Sequence, residues 1–296
     1  MRRFLFTLLL LSLLYLPTAS RLAAQTNSTL TLRLMTFNTH HCQGTDNVLN
    51  IARVAAIINQ VQPDVVALQE LDSMCTRSHK VFQLGQLAAL TGMHATYGPT
   101  INYQGGKYGI GVLSKEKPLS SYQIALPGKE ARTLLVCEFD NFVYAATHLA
   151  LQEENRLTSA TLIRQEAAKW DKPLYLAGDF NAQPRSTFMS TLKKYFKVCN
   201  KTDVGTYPSD TPTECIDYIC KYRVTADVAN AVVITDSMAS DHRPLYVDVR
   251  ERLTGIHKTK ADVAQSHSAY YDLQGRRIKA PTRGLYIRDG KKVRVK

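Results

Sequence analysis

The chain has 296 residues, 45% of them hydrophobic, which is enough for one large core with a small appended module. Its net charge of +12 invites an anionic partner such as nucleic acid. That charge sits at the ends: residues 251–296 hold 12 Lys/Arg against 4 Asp/Glu, and residues 1–24 hold Arg2, Arg3 and Arg21 with no acid, so positions 25–250 carry a net of only +1 and overall basicity gives no argument for nucleic-acid binding.

At the N-terminus, Arg2 and Arg3 precede an apolar run from Phe4 to Leu16, then Pro17 and small residues. This predicts a signal peptide over residues 1–24, cut after Ala24 to leave Gln25, with Leu22 an imperfect residue at the third position before the cut. The competing reading is a membrane anchor, but 13 apolar residues are short for a span. No later segment approaches transmembrane length. The expected location is therefore secreted, periplasmic or on the cell surface, with no stable membrane span after cleavage.

Residues 31–38 predict a first strand, followed by a polar loop over 39–47. Val48, Ile51, Val54, Ala55 and Ile58 recur at helical spacing and predict a helix over 48–60. Pro63 and Asp64 break it, and Val65–Leu68 reads as a short buried strand leading to Glu70. A second helix is expected over 79–91. Strand-like runs follow at 109–114, 119–125, 132–139 and 142–148, with turns at Pro127-Gly128 and Asp140-Asn141. Residues 153–169 read as a helix, Leu174–Ala177 as a buried strand, and further strands are expected near 195–199, 216–220, 228–234 and 244–249. Two sets of strands, each accompanied by helices, imply two sheets packed face to face with helices outside, a four-layer α-β-β-α sandwich of class α/β. After about residue 252 the chain turns basic and loop-like. Leu285–Ile287 and Val293–Val295 then flank Asp289-Gly290, a hairpin signal that predicts a small C-terminal β module; a disordered basic tail is the alternative.

Six cysteines fit an exported protein. Cys42–Cys75 and Cys199–Cys215 are the expected pairs, with free buried thiols as the alternative, and no Cys/His spacing suggests zinc.

The informative feature is a series of polar residues at the ends of apolar strands. Asn38 ends RLMTFN, Glu70 ends PDVVALQE, His148 ends FVYAATH, and Asp179 and Asn181 end PLYLAGDFN. Asp217 opens IDYIC, while Asp241 and His242 precede RPLYVDV. Each has a plain alternative: Asp179 a turn former before the helix start at Ser186, Asn38 a loop cap, His242 a surface residue before Pro244. In this order, TFNTHH, DVVALQELD, YAATHL, LAGDFNAQP, IDYIC and SDHRP resemble the successive motifs of the endonuclease/exonuclease/phosphatase superfamily, over about residues 31–250. Any one tetrapeptide would be weak; GDFN with a downstream SDH and a strand-end Glu far upstream is specific.

The resemblance implies a deoxyribonuclease I-like fold and a divalent-metal-dependent phosphoester hydrolase. Such chemistry needs phosphoryl charge neutralised, a water held in line and a stabilised leaving oxygen. By that likeness Glu70 is the principal Mg²⁺ ligand with Asn38 beside it and Asp241 completing the site, Mn²⁺ being a substitute. His242 would sit at the phosphate or the attacking water, oriented by Asp217, and Asp179 would bind or activate that water, the base being either Asp179 or His242. Asn181 would donate its amide to a phosphoryl oxygen, and His148 would stabilise phosphate charge or protonate the leaving group. Arg132, opening ARTLLVCEFD, is a phosphate-clamp candidate, or else a salt-bridge partner of Glu130 or Glu138. His40 and His41 could reach substrate or a second ion, at most one of them mattering. Tyr103, Lys107 and Tyr108 in NYQGGKYG could grip a head group, though decoration of an exposed loop is the plainer reading.

Departures from subfamily patterns bear on substrate. GDFN is followed by Ala182-Gln183-Pro184 without the Arg usual in inositol polyphosphate 5-phosphatases, and Ile216-Asp217-Tyr218 departs from the Tyr-Asp-Arg of deoxyribonuclease I. His148 stands where abasic-site endonucleases carry Tyr. THL with IDYI is nearer to sphingomyelinase-like and secreted branches. The chain offers no basic cluster with interleaved aromatics, so a small-molecule or lipid head-group phosphoester is expected, with DNA or RNA second, acted on by a monomer. A non-catalytic secreted binding or surface protein on the same fold is the alternative of another class. YDLQGRR, GLYI and the GKKVRVK ending resemble C-terminal sorting modules of Gram-negative secreted proteins, which implies domains at 1–24, 25–252 and 253–296.

Overall fold

The computed structural model describes residues 29–223 and 225–252, and, towards the C-terminus, 270–272, 274–278, 281–288 and 291–295. The signal-peptide reading of 1–24, the basic linker and the Asp289-Gly290 turn lie outside the described residues. The chain divides into two compact units, Thr29–Arg252 falling in one and the described residues from Tyr270 onward in the other.

In the larger unit, two six-stranded sheets carry the fold. The first comprises β1 (Thr29–Asn38), β2 (Val65–Ser73), β3 (His94–Tyr103), β4 (Gly106–Ser114), β11 (Asp227–Val233) and β12 (Leu245–Arg252), in the order β11-β12-β1-β2-β4-β3. The second comprises β5 (Ser120–Leu126), β6 (Arg132–Glu138), β7 (Val143–His148), β8 (Leu174–Asp179), β9 (Phe196–Val198) and β10 (Asp217–Tyr222), in the order β5-β6-β7-β8-β10-β9. Helices α1 (Ile51–Val61) and α2 (Gln83–Thr91) cover the first sheet, α3 (Glu153–Ala167) and α4 (Thr187–Leu192) the second.

Strand periodicity builds these layers. On β1, Leu32 and Leu34 enter the core between the sheets, while Met35 and Phe37 face α1 and α2. On β2, Val65 and Ala67 point inward and Val66 and Leu68 outward, both sides dry, which is why that strand is an unbroken apolar run. The second sheet repeats the scheme: Tyr175 and Ala177 fill the inter-sheet core, Leu174 and Leu176 the layer under α3 and α4. The Tyr144 hydroxyl donates to Met35 O at 2.6 Å and ties sheet to sheet. This is the expected α-β-β-α sandwich.

Two expectations need correction. Strand β3 has no counterpart in the predicted elements; it contains Gly98 and Pro99, residue types that strand interiors usually lack. It lies at the sheet edge, where proline's missing N–H costs no ladder bond, and of its residues only Gly98 is buried. The expected disulfides are absent: all six cysteines are free and buried. Cys199 sits in the inter-sheet core and Cys215 in the layer on the far side of the same sheet. Cys42 packs beneath α1, whereas Cys75 Sγ reaches Tyr103 O and Lys107 O in the β4 turn region, each at 3.2 Å.

The smaller unit is a four-stranded sheet in the order β14-β13-β15-β16, from Tyr270–Tyr271 (β13), Arg277–Ile278 (β14), Gly284–Arg288 (β15) and Lys291–Val295 (β16). The predicted C-terminal β module is present. Among the described residues no helix is long and apolar enough to cross a membrane.

Candidate active site

Register brings the strand-end residues to one rim. In the first sheet Asn38 pairs with Gln69 across parallel β1 and β2, which places it beside Glu70. In the second, His148 pairs with Asp179 across parallel β7 and β8, and Asp179 with Asp217 across antiparallel β8 and β10. Leu245 of β12 pairs with Thr36, so the segment before it, with Asp241 and His242, runs back toward Asn38.

Local backbone sharpens the placement. Glu70 interrupts the β2–β4 ladder at a bulge between Leu68 and Leu71 and adopts φ 61°, a left-handed conformation that turns its side chain out of the strand's alternation. Gly178 has φ 149°, and a Cβ there would lie 1.9 Å from Thr147 O. Only glycine lets β7 and β8 come close enough to set His148 against Asp179.

Asn38 is the hub. Its Nδ2 donates to Glu70 Oε1 (3.1 Å) and Asp179 Oδ2 (3.1 Å) and lies 3.4 Å from His242 Nε2. Its Oδ1 accepts from His40 N at 3.1 Å, which fixes which end of the amide faces the acids. Asp179 Oδ1 accepts from Asn181 N at 2.8 Å, while Oδ2 lies 3.5 Å from His148 Nε2 and 3.7 Å from His242 Nε2. His242 Nδ1 donates to Asp217 Oδ2 at 2.9 Å, so Nε2 is the nitrogen turned into the site. Arg132 Nη1 is shared between Glu130 Oε1 (2.8 Å) and His148 Nδ1 (3.4 Å). A guanidinium can only donate, so His148 Nδ1 is the bare nitrogen and Nε2–H faces Asp179.

Burial makes these charges interact strongly. Asn38, His148, Asp179, Asp217 and His242 are all at most 6% exposed. Burial, then the Asp217 charge, pushes Asp179 upward. Burial opposes the His242 imidazolium, but the Asp217 and Asp179 carboxylates outweigh it and raise that ring to about 10. Burial, with Arg132 and His242, drives His148 well below its ordinary value, so it is a neutral ring. Two adjacent imidazoles thus hold opposite protonation states.

The donor chemistry fits a hard divalent cation. Asp179 and Asp217 present carboxylate oxygens within 4.8 Å of each other and of a His242 ring nitrogen, which would have to lose its proton before it could ligate; Glu70 joins them through Asn38, and Asp217 Oδ1 is buried with no hydrogen-bond partner. Asp241 reaches the group through Ser240, whose Oγ donates to Asn38 O (2.7 Å), contacts Asp241 Oδ1 (3.3 Å) and accepts from His242 N (3.2 Å). The grouping with metal-ligand spacing among the described residues is therefore centred on Asp179, Asp217 and His242, and the expected ligands Glu70 and Asp241 stand at its margins.

Asn181 enters with one amide N–H already given to Leu149 O (2.9 Å). His41 is buried with Nε2 on Gln43 Oε1, and it joins none of the site residues. His40 contributes only its backbone N–H. Sequence reasoning missed Ser240, although it precedes Asp241 in SDHRP, because only the acid and the imidazole were weighed. It also missed Tyr207, whose ring packs 4.8 Å from His242, and Thr206, whose Oγ accepts from Asp217 N (3.3 Å). Residues 200–215 show no periodicity that would have flagged either.

A model of the Endonuclease/Exonuclease/phosphatase family matches residues 35–242, and no curated protein matches the chain. Among solved structures, an endonuclease/exonuclease/phosphatase from Beutenbergia cavernae superposes with TM-score 0.65 at 23% identity, covering 76% of this chain and 73% of that one. A Bacteroides thetaiotaomicron mannosyl-6-phosphatase gives TM-score 0.62 at 16% identity over 74% of this chain and 99% of its own. A humanised D. rerio TDP2 gives 0.59 at 18% identity over 74% and 98%. At these identities the likeness is one of fold.

Proposed function

The chain belongs to the endonuclease/exonuclease/phosphatase family, and from that premise we propose that it is an exported, Mg²⁺-dependent phosphoester hydrolase acting on a small-molecule or lipid head-group ester. The observation that carries the reading is the Asn38 amide, which touches a carboxylate of each sheet and the His242 imidazole at once. A site held together at that many points from both sheets is built for charge placement. A binding protein with no reaction to run would not need it.

A bound divalent cation would be held by Glu70, the ligand that the family resemblance implies, from the margin of the Asp179–Asp217 cluster, and would supply neutralisation of phosphoryl oxygen charge. The chain's own groups do the rest. Neutral His148 offers Nε2–H beside Asp179 Oδ2, placed to hydrogen-bond a phosphoryl or leaving oxygen without adding a full charge. The Asp217–His242 pair fixes one tautomer and turns Nε2 toward the centre. Asp179, its basicity raised by burial and Asp217, is fit to take a proton from a water. Arg132 steadies His148 and has a buried Nε–H with no partner among the described residues, a donor that a phosphoryl oxygen could use.

The body's net charge of +1 speaks against a DNA-tracking surface, while the family and the TDP2 fold keep nucleic acid as the second reading. Cleavage of the segment 1–24, and a sorting role for the C-terminal sheet, complete the proposal for an exported protein. Hydrolysis of bis-(p-nitrophenyl) phosphate by the mature protein, with Mg²⁺ and with EDTA, tests the reaction. Mg²⁺-dependent release that chelator abolishes is expected; no turnover of that diester or of any phosphoester in a panel of DNA, RNA, sphingomyelin, glycerophosphodiesters, inositol phosphates and sugar phosphates would overturn it.

A further inference from the structure

Beside the catalytic rim lies a small cleft of about 130 Å³ lined by Arg77, Ile101, Tyr103, Tyr108 and Glu130. The strands connect it to the chemistry. Tyr108 pairs with Asp72, two residues past Glu70, and Glu130 grips the same Arg132 Nη1 that reaches His148. Glu70, Glu130 and Arg132 are among the charges that Tyr108 feels most strongly. An ester whose phosphorus sits among Glu70, Asp179 and His148 would find this cleft next to it.

The charges in the cleft are paired. Arg77 is fixed by two hydrogen bonds, Nε to Asp72 Oδ2 (2.8 Å) and Nη2 to Asp72 Oδ1 (2.9 Å), and Asp72 is fully buried. Glu130 is matched by Arg132. With every formal charge answered, the cleft has no surplus of positive field to select a second phosphate. What remains is suited to hydroxyls. Arg77 Nη1 makes no hydrogen bond with the described residues, and the half-exposed Glu130 carboxylate keeps lone pairs to spare. A fixed donor and a carboxylate acceptor lining one cleft match an alcohol, which both gives and accepts. The Tyr103 and Tyr108 rings stand 6.2 Å apart and tilted by 54°, with the Arg77 guanidinium 4.6 Å over Tyr103, so flat rings stand within a lining that is mostly polar. At about 130 Å³, close to the roughly 150 Å³ cavity that holds a benzene ring, the cleft has room for one small ring or a short polyol, and its mostly polar lining disfavours an acyl chain.

We propose that this cleft is the subsite for the alcohol side of the ester and that it takes a small, uncharged, polyhydroxylated group such as a sugar ring. The assignment rests on the phosphoester hydrolase reading and names its substrate class. Tyr103 and Glu130 act as specificity residues; neither touches the reacting atoms.

The test is the ratio of kcat/KM for hexose 6-phosphate to kcat/KM for ethyl phosphate, each offered as the monoester and as its methyl diester, with Mg²⁺. The wild type should prefer the hexose ester in whichever series it hydrolyses. Tyr103→Ala, by losing a ring face, and Glu130→Gln, by losing a charged acceptor, should each cut that ratio roughly tenfold, about 1.4 kcal/mol, while Tyr103→Phe keeps most of it. Any disturbance of phosphate binding through Arg132 acts on both substrates and cancels in the ratio. Turnover of ethyl esters with no preference for hexose, or a ratio unmoved in both variants, overturns the subsite and leaves the hydrolase reading standing. A preference for an oligonucleotide or for a second phosphate on the alcohol overturns it likewise. Hydrolysis of no phosphoester at all removes both.

Discussion

Replacing Asp217 by Asn isolates the device that sets His242. The substitution keeps size and removes one negative charge from a group that is 1% exposed and 2.9 Å from His242 Nδ1. His242 Nδ1 is a donor, so the new amide must turn its oxygen to the ring and its NH₂ to the Oδ1 position, which has no partner in the wild type. The carboxylate acceptor becomes an uncharged amide oxygen, and the difference between the two hydrogen bonds is about 1–1.5 kcal/mol, which at about 1.36 kcal/mol per unit lowers the His242 titration by roughly one unit. Asp179 moves down as well, because Asp217 is the second cause of its elevation. In the wild type His242 is raised when folded. Its contribution to stability is therefore complete below the unfolded value of roughly 6.5 and is lost as pH climbs through about 10. The pH-dependent part of the stability gap between wild type and Asp217→Asn should close across that window. NMR titration of the imidazole in metal-free protein, denaturant unfolding between pH 6 and 10, and kcat on an activated diester make the assay, with kcat expected to fall about tenfold, the rate equivalent of that difference if all of it acts in the transition state. A His242 ring that titrates as before would refute the claim that Asp217 controls it.

Asp179→Ala and His242→Ala should each lower turnover by several orders of magnitude with an unchanged circular dichroism spectrum, as the groups meet reacting atoms. Glu70→Gln should shift the Mg²⁺ activation curve to at least tenfold higher concentration and affect saturated turnover less, as read from initial rates against metal. His148 is neutral when folded yet takes a proton near 6.5 once unfolded, so it erodes stability by up to about 1.4 kcal/mol per pH unit below that value; His148→Asn should flatten the acid limb of a urea-unfolding series between pH 5 and 7. Gly178→Ala drives a methyl into Thr147 O and should cost several kcal/mol and most of the activity, measured by melting and turnover together, because β7 and β8 must part. Deleting residues 254–296 should leave hydrolysis intact and change where the protein is found, as cell fractionation would reveal.

Much of this molecule could be read from the chain alone. Alternation on β1 and the dry run of β2 fixed which faces are buried, and the placement of Asn38, Glu70, His148, Asp179, Asp217 and His242 at strand ends is a local property that a sequence displays directly. Their meeting is not local. It follows from register: the Asn38–Gln69, His148–Asp179 and Asp179–Asp217 pairings, and the bulge that turns Glu70 aside. Thr206, Tyr207 and Ser240 escaped notice because a loop's contacts come from the sheets it crosses, and those have no signature in its own residues. The cysteines failed for the same reason, since neighbours such as Cys199 and Cys215 ended on opposite sides of one sheet. Protonation is not local either. A histidine's residue type permits either state, and the tertiary surroundings decide: burial, with the Arg132 guanidinium beside it, keeps His148 neutral, whereas at His242 the carboxylates outweigh burial.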